Sequence, residues 1–130
     1  MIVGIGIDIV DNSRIKKTLN IFGEKFKERC FLETEIDLSK IKKTKDDNVN
    51  FFSKRYAAKE ACSKALGTGL AMGVTWKDIE VVNNKYGKPF IKLHNNALKI
   101  FNELSISKCD IAVSLSDEKN YSIANVIIFK

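Results

Sequence analysis

Hydrophobic and polar positions alternate at the start of the chain: Val3, Ile5, Ile7 and Ile9 are separated by Gly4, Gly6 and Asp8. That is the period-two signature of a strand. One face would be packed with branched side chains; the other would carry two glycines and then a carboxylate, leaving open space beside Asp8. Asp11, Asn12 and Ser13 are helix N-cap types, and after them Ile15, Leu19, Phe22 and Phe26 recur at helical spacing, with Gly23 a candidate break. A charged, turn-rich stretch from Glu33 to Asn50 reads as a short helix and a mobile loop. The clearest helix runs from Phe51 to Leu66 and ends at Gly67-Thr68-Gly69. Phe51, Ala58, Cys62 and Leu66 give it a face that would pack on a sheet, and Ser53, Ala57, Glu60 and Lys64 lie on roughly the opposite face.

The remaining pattern is strand, strand, helix, strand, strand. Asp78–Val82 and Pro89–Leu93 flank Asn83–Lys88 as a hairpin, and Asn95–Leu104 is a short helix. Cys109–Ser116 and Tyr121–Phe129 are two further strands joined through Asp117–Asn120. Without repeats or low-complexity linkers, residues 1–130 predict a single α+β domain: a small, mostly antiparallel sheet packed against one long helix and shorter helices.

Composition narrows the classes. With 45% hydrophobic and 29% charged residues the chain has the balance of a globular protein, so disorder is not expected. No apolar run reaches bilayer-spanning length. The segment MIVGIGIDIV lacks a basic leader and contains Asp8, and it reads as a buried strand rather than a signal peptide. Cys30, Cys62 and Cys109 form no CxxC pair, and His94 is the single histidine. A disulfide framework and a zinc site are therefore not expected, and a reducing, cytoplasmic setting is. Net charge is +6, with Arg14, Lys16, Lys17, Lys25, Lys27 and Arg29 set against Glu24 and Glu28. Such a patch attracts an acidic partner without saying which.

Candidate chemistry begins with Asp8, a charge between isoleucines. It is either a cap for the next helix or a hard oxygen ligand for Mg²⁺. Glu60 and Lys64, at i and i+4, are commonly just a surface pair. Here they sit in AAKEACSKALGTG, where alanines allow a ligand close approach and glycines let the backbone bend. A carboxylate for metal and an ammonium for phosphate on one helix face suit a diphosphate substrate. The GIG and GTG segments do not extend into dinucleotide or Walker motifs.

Together these pieces resemble the holo-[acyl-carrier-protein] synthases, the short, trimeric type of 4′-phosphopantetheinyl transferase. The resemblance rests on GIGxDIV at Gly4–Val10 with Arg14-Ile15, and on RxAAKEAxxKAxGTG at Arg55–Gly69 with Tyr56 at the variable place. GKP at Gly87–Pro89 and VSLS at Val113–Ser116 complete it. It implies transfer of phosphopantetheine from coenzyme A to a serine of apo-acyl carrier protein, in support of fatty acid synthesis. It also implies roles: Asp8 and Glu60 for Mg²⁺, Glu60 and Lys64 for catalysis, and Lys64, Gly67, Thr68, Gly69, Lys88 and Pro89 around coenzyme A. Arg14 and Lys17 would dock the acidic carrier, in a homotrimer with active sites at subunit boundaries. Ala112 and Asp117 stand where many relatives carry histidines, so no role of those histidines transfers. Two other readings remain at this point. One is a metal-dependent phosphoesterase or nuclease using Asp8, Glu60 and Asp117; the other is a non-catalytic basic nucleic-acid-binding module.

Overall fold

The computed structural model describes residues 1–104 and 108–130. β1 (Ile2–Asp11) leads into α1 (Asn12–Phe22), α2 (Glu24–Cys30), α3 (Glu33–Ser39) and the long α4 (Lys45–Leu66). A 3₁₀ turn at Trp76–Asp78 then precedes β2 (Ile79–Asn83), β3 (Pro89–Leu93), α5 (Asn95–Leu104), β4 (Asp110–Asp117) and β5 (Tyr121–Phe129). β5 is the centre of a three-stranded antiparallel sheet ordered β1-β5-β4, and β2 and β3 form a separate hairpin. The α+β class and the antiparallel pairing hold.

Local chemistry explains the boundaries. Asp11 caps α1 by accepting from the Ser13 amide at 2.9 Å, and Gly23, at φ +51°, breaks α1 from α2. The stretch expected to hold a mobile loop is more helical than its composition suggested. Thr44 accepts from the Asp47 amide at 3.0 Å and, with Asp46 and Asp47 in the first turn, starts α4 six residues before Phe51. At its other end Gly67, left-handed at φ +84°, closes the helix as its amide bonds back to Lys64 O at 3.0 Å.

The faces of β1 are the reverse of the expectation. The glycine face is the covered one: a Cβ at Gly4 or Gly6 would collide with the backbone carbonyls of Ala65 and Ala61, so α4 lies directly on the strand. The space beside the two glycines is therefore occupied by α4, while the Asp8 side chain keeps 17% exposure. The isoleucine face points outward, with Ile5, Ile7 and Ile9 at 62%, 57% and 62% exposure. By register Ile9 stands beside Ile123, itself exposed, and Ile5 beside Ile127 on β5, which extends the same apolar surface.

α4 is enclosed almost all round. Ala57, Ala58, Ala61 and Cys62 are fully buried, with Phe51, Ala65 and Leu66 nearly so. Ser53 and Ala57, expected on the ligand-facing side, are buried as well. From Phe51 to Leu66 only Lys54, Tyr56, Glu60 and Lys64 stay open to solvent in part, the last three along one ridge.

Candidate active site

Pressing α4 onto the glycine face brings Lys64 to the strand. Its ammonium donates to the Ile7 carbonyl at 3.0 Å and to Asp8 Oδ1 at 3.3 Å. Lys64 keeps 50% side-chain exposure and Asp8 17%. Glu60, one turn earlier, is half-buried. Its carboxyl is held above the ordinary value of 4.5 chiefly by burial and then by the Asp8 charge, with Lys64 and Arg14 offsetting part of the effect. Two carboxylates and an ammonium thus share one small region.

That donor set suits a hard divalent cation. The like-charge strain between Asp8 and Glu60 is what a cation would relieve. Among the described residues no cluster of three or more His, Cys, Asp or Glu is arranged to hold a metal. Two protein carboxylates, with the other positions filled by water and substrate phosphate, match the habits of Mg²⁺. The three-carboxylate alternative meets a specific obstacle: Asp117 is engaged by Lys54 at 3.3 Å and by Asn50 at 3.0 Å.

A second polar region lies toward the N-terminal half of α4. Arg55 is buried, and its Nε and one terminal nitrogen have no hydrogen-bond partner. Its guanidinium stacks on Phe51 at 3.8 Å, and burial lowers its pKa to about 10, against a partial counter-effect from Glu35. It lines a cavity of about 390 Å³ with Lys42, Lys54, Asn83, Gly87 and Pro89. Three cationic side chains around one concavity, with guanidinium donors to spare, form an anion-binding surface. The sequence reading gave Arg55 no role, because nothing in the motif says it is buried and unpaired.

The other expected residues are placed as follows. Gly67, Thr68 and Gly69 form the cap of α4, with the Thr68 and Gly69 amides both donating to Ser63 O. Lys88 and Pro89 leave the hairpin turn, where Asn84 Oδ1 accepts from the Lys88 amide at 3.0 Å. Twelve residues of α4 separate Gly67 from Arg55, roughly 18 Å along the axis. Within one chain the GTG cap and the Pro89 cavity are therefore distinct places, not the common border the resemblance implied. Arg14 and Lys17 are both exposed on α1, and Arg14 lies near enough to influence Glu60. Ala112 is exposed on the outward face of β4, opposite Ile127.

All three cysteines are buried and none forms a disulfide; burial pushes the Cys62 thiol up to about 12. His94 pairs with Glu80 at 2.8 Å. A pair the sequence reading missed is Lys59 with Glu35, at 2.7 Å and fully enclosed. No helix among the described residues is long and apolar enough to cross a membrane.

Comparison with known proteins places this geometry. The family model described as the 4′-phosphopantetheinyl transferase superfamily matches residues 4–126. A holo-[acyl-carrier-protein] synthase of Blochmanniella pennsylvanica is 46% identical, covering 98% of both chains. One from Sinorhizobium fredii is 43% identical, covering 98% of this chain and 90% of its own. The crystal structure of the Neisseria meningitidis synthase superposes with a TM-score of 0.86 at 36% identity and full coverage of both chains. The Bacillus anthracis synthase in complex with CoA (3′,5′-ADP) superposes at 0.81 and 37% identity, covering 100% of this chain and 98% of that one. The chain belongs to the 4′-phosphopantetheinyl transferase superfamily, among the holo-[acyl-carrier-protein] synthases.

Proposed function

We propose that this chain transfers 4′-phosphopantetheine from coenzyme A to a serine hydroxyl of apo-acyl carrier protein, releasing 3′,5′-ADP in the cytoplasm. The observation that carries the reading is the meeting of Asp8, Glu60 and Lys64 where β1 and α4 touch. In the reaction the serine oxygen forms a bond to the phosphorus bearing pantetheine, and the bond from that phosphorus to the bridging oxygen of the diphosphate breaks. No covalent enzyme intermediate is required. Lys64, half exposed and loosely bonded, is free to turn from Asp8 to the departing phosphate and offset its charge. Glu60 is the proton acceptor we assign, since a carboxylate raised above its ordinary value is better matched to that task. Asp8 and Glu60 would hold Mg²⁺, which when bound supplies charge stabilisation at the phosphate oxygens.

The cavity under Arg55, bordered by the Lys88-Pro89 turn, suits the phosphorylated nucleotide end of coenzyme A. We assign Gly67, Thr68 and Gly69 to the same ligand. Their distance from that cavity within one chain would be reconciled by a site shared between subunits. The outward isoleucine face of β1 supports this, because a contiguous apolar sheet surface is a mark of association; we propose a homotrimer. Arg14 and Lys17 on α1, followed by exposed Ile21 and Phe22, offer an acidic carrier both charge and an apolar anchor.

The test is to incubate the protein with coenzyme A, Mg²⁺ and apo-carrier and to weigh the carrier by mass spectrometry. A gain of one phosphopantetheine on the carrier is expected; an unchanged mass with several carriers would overturn the assignment.

A further inference from the structure

Along the open ridge of α4 three side chains follow at one-turn intervals: Tyr56, Glu60 and Lys64. The transferase reading gives functions to the second and third and none to the first. Yet Tyr56 is built into position with some care. Its ring stacks on Trp76 at 4.3 Å between centroids with a tilt of 28°, and it meets Phe26 at 6.1 Å. Those contacts fix the plane of the ring and hence the direction of the hydroxyl. Among the described residues no hydrogen bond occupies that hydroxyl, and its oxygen is not sealed away as a buried unpaired atom. The phenol stands within electrostatic reach of Glu60, Arg14 and Asp8. It is an oriented, unpartnered donor at the edge of the reactive centre.

Its side of that centre is informative. Phosphoryl transfer places the attacking and leaving oxygens on opposite sides of phosphorus. If Lys64 faces the leaving phosphate, the acceptor enters from beyond Glu60 in the other direction along the ridge. That is the Tyr56 end, which is also the end near Arg14 and α1, where the carrier would dock.

We propose that the Tyr56 hydroxyl is a contact for the acceptor, donating a hydrogen bond to the carrier serine oxygen while the serine proton points to Glu60. A phenol is protonated at neutral pH and can act as this donor without a change of charge. The contact orients the nucleophile; it does not hold coenzyme A. The inference rests on the transferase reading, and its test separates the two.

Tyr56→Phe removes one oxygen and leaves the Trp76 stack. With wild-type protein as reference, kcat for carrier modification is expected to fall about fivefold, the share of one net hydrogen bond. The KM for carrier, the calorimetric Kd for coenzyme A and Tm should stay at their wild-type values. An unchanged kcat would overturn the inference. So would a loss that appears in the Kd for coenzyme A or in the carrier KM, since the hydroxyl would then serve the donor or the docking surface. Failure of the wild-type protein to modify any carrier would instead sink the transferase reading itself.

Discussion

Two lysines five residues apart on α4 make ion pairs of opposite character. Lys59 donates to Glu35 Oε1 at 2.7 Å, to Ile79 O at 2.6 Å and to Trp76 O at 3.1 Å, with both charged side chains essentially sealed from solvent. Glu35 is satisfied in turn by the amides of Leu32 at 3.0 Å and Val81 at 3.3 Å. Lys64 has two longer bonds, remains half exposed, and faces Asp8 beside a second carboxylate that its charge does not fully neutralise. The first pair ties α3, the 3₁₀ turn and β2 to the inner side of the helix. The second leaves charge available for a ligand. The difference separates what holds the scaffold from what handles phosphate, although both lysines lie in the same short motif.

That division can be broken from either side. Lys59→Met strands a buried carboxylate and should destabilise the fold by about 3–5 kcal/mol in urea denaturation. Adding Glu35→Leu should recover much of that loss, because an apolar replacement removes both charges together. Lys64→Ala should do the reverse. The rate of carrier modification should fall by about 10²–10³, the usual loss for one electrostatic contact to the developing charge, while stability changes by less than about 1 kcal/mol for a half-exposed pair. A large loss of stability at Lys64 with little loss of rate would erase the distinction.

The loose pair also sits on a strand whose outer face is apolar. Ile7 gives its carbonyl to Lys64 and turns its side chain outward. Ile7→Lys should therefore break the proposed trimer into monomers in sedimentation and reduce transfer, with the Lys59–Glu35 region still folded. Retention of the assembled mass would place the subunit boundary elsewhere.

The smallest effect concerns stability and pH. Glu60 has a folded pKa above its ordinary 4.5, so its carboxylate form is disfavoured by folding. Relative stability from this group is fully present below 4.5 and is lost as pH rises through the folded pKa. Glu60→Gln should thus raise Tm at neutral pH, with the gain shrinking as pH falls through the folded pKa and gone below 4.5, even as transfer is lost. A variant less stable than wild type at neutrality would contradict the strained acid pair.

Much of this arrangement was legible in the sequence, and the parts that were not have physical reasons. The motif helix, its glycine cap, the β2–β3 hairpin and the last two strands follow from local periodicity and turn chemistry. The alternation in β1 shows two faces but not which one is covered. Taking the branched face as the inner one fails because two glycines let the α4 backbone approach more closely than any side chain would. Spacing set Glu60 beside Lys64, and only the resemblance joined Asp8 to Glu60; the contact of Asp8 with Lys64, across 56 residues of chain, is tertiary. Charge alone did not separate Lys59 from Lys64, because the partner that buries Lys59 lies 24 residues earlier, in a helix with no distinctive pattern. Arg55 and Tyr56 escaped for the same reason: their surroundings are tertiary.

The most direct measurement is divalent-ion binding by the two acids. With Mn²⁺ as a spectroscopic stand-in for Mg²⁺ and coenzyme A present, electron paramagnetic resonance should detect a bound ion on the wild-type protein. Asp8→Asn and Glu60→Gln should each weaken that binding by about tenfold or more. Wild-type affinity in both variants would contradict a shared cation at β1 and α4.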